Sequence, residues 1–299
     1  EAAAPARRLG GDTARLAALD RRLALGEPFR QSQAEAGARA AAMQSTLERV
    51  RAAAAPLAES ALSAARGGLP AELTAVAADA QGSFRDVTAA LDITAAGRTL
   101  FAGAAVTGPA LAAPDAMMAE LRTAAAGMTD GTQIAAVVDS WFGPGGGFET
   151  SGYLGSDTPA SPVPLNEGET VALDIRADDP ALRRVMAGTA MAALAGDATL
   201  GLDRTARQAL MKQAGETLLQ ANAPMIELSA RLGAEEARIE RAGARLASQR
   251  SGTEMARAAL IEVDGYEAAS RVQALSQKLE MLHAVTARLS RLSLLEQLR

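Results

Sequence analysis

Cysteine is absent from this 299-residue chain. That removes disulfides, thiol nucleophiles and every Cys-based metal site at once. It is also compatible with a protein that crosses a narrow channel unfolded and refolds without covalent staples. Histidine occurs once, at His283. A single imidazole cannot build a His-rich metal set or a Cys-His pair, and its place between Leu282 and Ala284 reads as an ordinary helix-surface or seam histidine. Aromatic residues make up 3% of the chain against a hydrophobic total of 48%, so the apolar content is mainly Ala, Leu and Val. Such a mixture suits close-packed helices better than a large core around a cofactor pocket. There is no apolar run of about 18 residues, so no membrane-spanning helix is expected. The 35 acidic and 30 basic residues leave a formal charge of −5, without the basic excess of a nucleic-acid-binding surface or a block aimed at anionic lipid.

Other stretches that could carry chemistry have plainer readings. Gly143-Pro144-Gly145-Gly146-Gly147 is followed by neither Lys-Ser/Thr nor a helix start, so it is a loop rather than a phosphate cradle. The adjacent Asp178 and Asp179 precede Pro180, the arrangement of a helix N-terminus, where carboxylates meet unpaired N–H groups. Met117, Met118, Met186, Met191 and Met225 read as core filler rather than ligands. No catalytic, cofactor-binding or metal-ligating set emerges.

What the chain does have is helical periodicity at both ends. A pattern opens at Asp12 with Leu16, Leu19 and Leu23 on one face, and Pro28 and Pro56 are candidate kinks. It resumes with Met43, Leu47, Val50, Ala54 and Leu57, and Gly67-Gly68-Leu69-Pro70 breaks it. A second helix follows to about Ala96, with Leu73, Val76, Ala80, Phe84, Val87 and Leu91 on one side. From Asp203, Met211, Ala214, Leu218, Ala221, Met225, Leu228, Leu232, Ile239, Ala242 and Leu246 hold a three-four repeat that only Glu235 interrupts. Roughly 45 residues of such a helix make a rod of about 65 Å. The last stretch carries Val272, Leu275, Leu279, Leu282, Val285, Leu289, Leu292, Leu295 and Leu298 as one stripe that runs to the end of the chain. An apolar stripe of that length must be covered at home or by a partner.

Between the arms the texture changes. Short helices are predicted around 116–127 and 132–142, then a Gly-, Pro- and Ser-rich stretch, and a strand over Glu169 to Arg176 paired through the turn Asn166-Glu167-Gly168 with Val163 and Leu165. Asp179-Pro180 caps a helix to about Ala195. The expected fold is mainly α: an elongated antiparallel helical bundle or coiled coil formed by an N-terminal arm (1–103) and a C-terminal arm (201–299), with a small α+β domain (104–200) inserted at its far end.

Specific residues within this plan resemble those of the bacterial flagellin superfamily. SRLSLLEQLR at the C-terminus resembles its terminal motif, and VDGYEAASRVQALSQKLEML resembles its D-x-A-E-A pattern. GRTLFAG, with Gly97, Arg98, Leu100, Phe101 and Gly103, is similar to the G-R-Y-L-F-A/S-G signature of the hook–filament junction branch of hook-associated proteins, and it closes the N-terminal arm as it does there. Thr99 stands where the signature has Tyr. Tyr153-Leu154-Gly155-Ser156-Asp157 is similar to the lead-in to that family's small β domain. The family's N-terminal terminal helix is not seen, so further residues are expected before Glu1.

The resemblance implies a non-enzymatic structural subunit of the flagellum, exported by the flagellar type III route without a cleaved signal and residing outside the cell. It implies self-assembly in a ring or helix, a neighbouring hook-associated protein and flagellin as partners, and an export chaperone on the C-terminal helix. Leu275, Leu279, Leu282, Leu289, Leu292, Leu295 and Leu298 are the residues expected to pack between subunits. Flagellin itself is the near alternative, and an intracellular coiled-coil scaffold or adaptor is what the heptads alone would allow.

Overall fold

The computed structural model describes residues 13–95, 97–261 and 265–296. In chain order these form α1 (Thr13–Gly67), α2 (Pro70–Leu91), a hairpin of β1 (Thr94–Ala95) and β2 (Arg98–Thr99), α3 (Pro114–Ala124), α4 (Gly131–Phe142), a second hairpin of β3 (Val163–Asn166) and β4 (Glu169–Val171), α5 (Pro180–Leu194), α6 (Arg204–Ile261) and α7 (Gly265–Glu296). Both hairpins are antiparallel and two-stranded. The protein is therefore mainly α, a helical bundle with a small α+β element, as its periodicity predicts.

The chain divides into two units, Pro28–Leu246 and a second drawn from Glu1–Glu27 with Ala247–Arg299. Within the first, α1 and α6 lie side by side and antiparallel. Near one end Gln33 of α1 faces Gly243 of α6, and Gly37 faces Ile239; near the other, Gly215 of α6 sits against Ala58 and Leu62 of α1. At Gly215 the two helices leave no room for a side chain: a Cβ there would lie 2.6 Å from Leu62 Cγ and 3.0 Å from the Ala58 carbonyl. The three-four stripe explains the pairing, since Met211, Ala214, Leu218, Ala221, Met225, Leu228, Leu232, Ile239 and Ala242 are all buried. They meet Ala36, Ala40, Met43, Leu47, Val50, Ala54 and Leu57 of α1 in one apolar core. At about 0.8 kcal/mol per buried methylene, this continuous core outweighs the hydrogen bond that each proline removes. The helix continues through Pro28 and Pro56.

Two helices complete a four-helix layer. α2 turns back on α1 through Gly68-Leu69, burying Leu73, Val76, Ala80, Phe84, Val87 and Leu91. α5 packs on α2 and runs antiparallel to α6, with Asp179 at its start bonded to Arg231 at 3.2 Å and Met191 near its end touching Thr217. Asp179 caps α5 by accepting from Ala181 N at 2.9 Å, ahead of Pro180 at the first helical position, as its sequence predicts.

The middle segment does not sit at the far end of the rod. It lies along it, because α5 is apolar on most sides. Twelve of its residues, from Ala181 to Leu194, are buried, and only an interior position satisfies such a helix. Other differences are local. α2 ends at Leu91 rather than near Ala96, since the chain turns into β1. α6 is 58 residues long, beyond the stretch its apolar repeat marks. The ladder of β4 stops at Val171, yet the alternation continues: Val171, Leu173 and Ile175 are buried and Thr170, Ala172 and Asp174 are exposed. Four aromatics, Trp141, Phe142, Phe148 and Tyr153, form a chain of ring contacts 4.7 to 6.5 Å apart that anchors the loops around α4.

Candidate assembly surface

The GRTLFAG segment is a backbone junction. Leu100, Phe101 and Ala102 are buried, and their main-chain groups bond three other parts of the chain. Leu100 N donates to Ile93 O at 3.1 Å, Ala177 N donates to Phe101 O at 2.9 Å, and Ser156 N donates to Ala102 O at 2.9 Å. Thr99 donates its hydroxyl to Gly108 O at 2.6 Å. Gly97 sits in the turn between β1 and β2 with φ +74°, and Gly103 has φ +62°. At Gly103 a Cβ would stand 2.5 Å from Ser156 O and 2.7 Å from Thr158 O. The glycine lets the 152–158 loop close over the segment. Tyr153, in that loop, is buried. Burial, followed by the nearby Asp178 carboxylate, raises its hydroxyl pKa far above the usual value. Asp178 is itself pushed up by burial, against the pull of Arg176 and Arg183.

Arg98 differs from its neighbours in the segment: it is half-exposed, and it acts on the charge of Arg39 of α1. Sequence reasoning missed Arg39. Nothing in the spacing of two residues on separate elements announces that the charge of one acts on the other.

The second unit offers a different kind of surface. Near the start of α1 and the end of α6, Arg257 bonds Asp20 at 2.7 Å, while Arg250 bonds Glu27 at 3.0 Å and Glu254 at 2.8 Å. These pairs are solvent-exposed and set register more than stability. Large apolar side chains stand uncovered beside them: Leu25 is 66% and Met255 65% exposed.

α7 carries the longest uncovered stripe. Val272, Leu275, Leu279, Leu282, Val285 and Leu289 recur at helical spacing and are all more than half exposed, with Leu275 at 65%. A run of six such residues on one helix is far from the scattered single hydrophobes of an ordinary surface. Of the other stripe residues, Leu292 and Leu295 fall where side chains are not described, and Leu298 lies outside the described residues. His283 is exposed on the same helix. Among the described residues there is no group of three or more His, Asp or Glu placed to hold a metal ion. No described helix is long and apolar enough to cross a membrane.

Residues 216–298 match the family model of the bacterial flagellin C-terminal helical region, so the arm that bears this stripe is flagellin-like. Two solved structures share the fold. The crystal structure of Bacillus cereus FlgL matches with a TM-score of 0.56 at 15% identity, over 80% of this chain and 98% of that one. A Vibrio parahaemolyticus protein assigned to the flagellar hook-associated proteins matches with a TM-score of 0.58 at 11% identity, over 83% of this chain and 98% of that one. No curated protein sequence matches the chain.

Proposed function

We propose that this protein is a structural subunit of the bacterial flagellum at the junction between hook and filament, assembling through its terminal helices and adapting hook packing to filament packing. The observation that carries the reading is the uncovered stripe of α7, in a segment that matches flagellin's C-terminal helical region. A helix that exposes Leu275, Leu279, Leu282 and Leu289 leaves water-contacting apolar area at about 25 cal/mol per Å², recovered when another helix covers it. The fold shared with FlgL and the presence of GRTLFAG at the end of the N-terminal arm favour the junction over the filament.

In this reading the arms, residues 1–103 and 201–299, carry the assembly contacts, including Leu292, Leu295 and Leu298, and residues 104–200 brace them. The work is mechanical rather than catalytic. Copies of the chain, a neighbouring hook-associated protein and flagellin are the partners outside the cell. A chaperone covers α7 before export by the flagellar type III route.

Deleting the gene tests this. Hooks without filaments, with flagellin monomer shed into the medium, are the expected phenotype. Hooks with no shed monomer would instead identify flagellin itself, which the C-terminal match alone would also allow. Normal filaments in a strain with a single copy of the gene would overturn both.

A further inference from the structure

The solvent side of α6 carries a second apolar stripe. Leu219, Ala223, Ile226, Ala230, Gly233 and Ala237 follow one another by steps of four and three, on the side away from the buried seam with α1. Leu219 is 52% and Ile226 47% exposed, the three alanines are exposed and Gly233 is partly so. A Cβ added at Gly233 would meet nothing within 4 Å. The buried stripe already satisfies the core, so a second seven-residue repeat on the outer face has the pattern of another helix–helix seam.

Shape, length and charge select the occupant. Small residues at four of the six positions leave gaps that large side chains fill. The uncovered stripe of α7, from Val272 to Leu289, is large throughout. At 1.5 Å per residue the two stripes, 219–237 and 272–289, each run about 25 Å. Among the described residues Glu227, Glu236 and Glu240 along the α6 stripe have no ion pair or hydrogen bond, and neither do Lys278 and Arg288 beside the α7 stripe. Two α6 stripes together would face carboxylate against carboxylate. The exposed alanine face of α1 carries Glu48 and Glu59, also without partners, so like charges oppose it as well. With both helices running the same way and Leu219 opposite Val272, Lys278 falls beside Glu227 across the seam, the place of the charged flank in a coiled coil.

We infer that the outer stripe of α6 receives α7 of a second copy of this chain, with Lys278 paired to Glu227. The inference rests on the self-assembly in the proposed function and gives α7 its docking face. Donor and acceptor surfaces differ, so the contact is heterologous. Each copy offers α7 to one neighbour and α6 to another, which builds rings or helices rather than closed dimers.

Sedimentation of the full chain tests it. Leu219→Asp with Ile226→Asp should weaken association about tenfold or more, with helicity unchanged by circular dichroism because both side chains are exposed. Glu227→Lys should weaken it by about threefold to tenfold, and adding Lys278→Glu should restore it. This exchange of charges stands by itself if the double Asp variant fails to fold. Ala230→Trp should weaken association although it adds apolar surface, because it fills a gap that α7 enters. Unchanged association in the folded double Asp variant, no recovery with Lys278→Glu, stronger association with Ala230→Trp, or a wild-type chain that stays monomeric would each overturn the inference. Leu279→Asp with Leu282→Asp in the same assay keeps the two ideas apart. Loss of association there, with insensitivity to every α6 change, sinks this inference and leaves the proposed function standing.

Discussion

The side-chain amide of Gln33 on α1 donates to the carbonyl of Leu165 in β3 at 2.5 Å, joining residues 132 apart in sequence. Gln33 is buried, and so is Leu165. Arg238 and Arg245 of α6 hold the other strand of the same hairpin, at Thr170 O (2.9 Å) and the Glu169 carboxylate (2.6 Å). One buried amide and two arginines thus clamp the hairpin to both long helices.

Gln33→Leu should therefore destabilise the unit by about 1–3 kcal/mol, the cost of a buried carbonyl left without its donor. Denaturant unfolding gives the magnitude. Hydrogen exchange should show the loss concentrated in 163–171, and an evenly distributed loss would mean that the bond does not locate the hairpin.

Gly103 and Gly97 separate two roles of glycine within one motif. Both have positive φ, but a Cβ at Gly97 meets nothing within 4 Å, while one at Gly103 meets two carbonyls. Gly97→Ala should cost about 1–2 kcal/mol from backbone strain alone. Gly103→Ala should cost more, about 2–4 kcal/mol, because the 156–158 loop must also move. Thermal melts of the two variants check the order.

Leu279→Asp with Leu282→Asp should leave folding stability unchanged within about 0.5 kcal/mol, because exposed side chains away from any cap or core contribute little to the monomer. Its effect belongs to assembly. Cells carrying it should make hooks and fail to hold filaments, and normal motility would refute the role given to α7.

Three carboxylates set a pH dependence. Burial raises the pKa of Asp139 despite the pull of Arg184, and burial raises that of Asp178. A carboxyl whose folded pKa is raised adds stability below its unfolded value and loses it as pH rises through the folded value. Asp197 is the opposite case. Burial pushes it up, but hydrogen bonds from Thr199 and Arg122 outweigh that and lower its pKa. Its contribution is present above the unfolded value and lost as pH falls through the folded one. Asp139→Asn should thus stabilise the protein at pH 7 and lose its advantage in acid. Asp197→Asn should destabilise at pH 7, with the difference from wild type shrinking in acid. Unfolding curves across that range decide the sign.

Much of the fold is legible in the residues because one-dimensional spacing maps directly onto a helix face. The α6 stripe from Met211 to Ala242 is buried, as its repeat demands, and the Asp179-Pro180 cap opens α5 where its chemistry says it should. The α7 stripe is equally legible as apolar, yet spacing alone does not say whether its leucines are covered. The position of α5 in the bundle escapes a linear reading for a related reason. A helix apolar on most sides says that it is buried, not what buries it.

The amino-acid sequence by itself determined the helices, their apolar faces, their caps and the absence of thiol chemistry, since each depends on neighbours within a few residues. Only the tertiary structure decided which faces meet. It set α1 against α6, laid α5 along α6, and seated Gly103 beneath the carbonyls of Ser156 and Thr158. Those relationships join residues tens to more than a hundred positions apart. Their energies come from close packing and desolvation, which exist only once the chain has closed on itself.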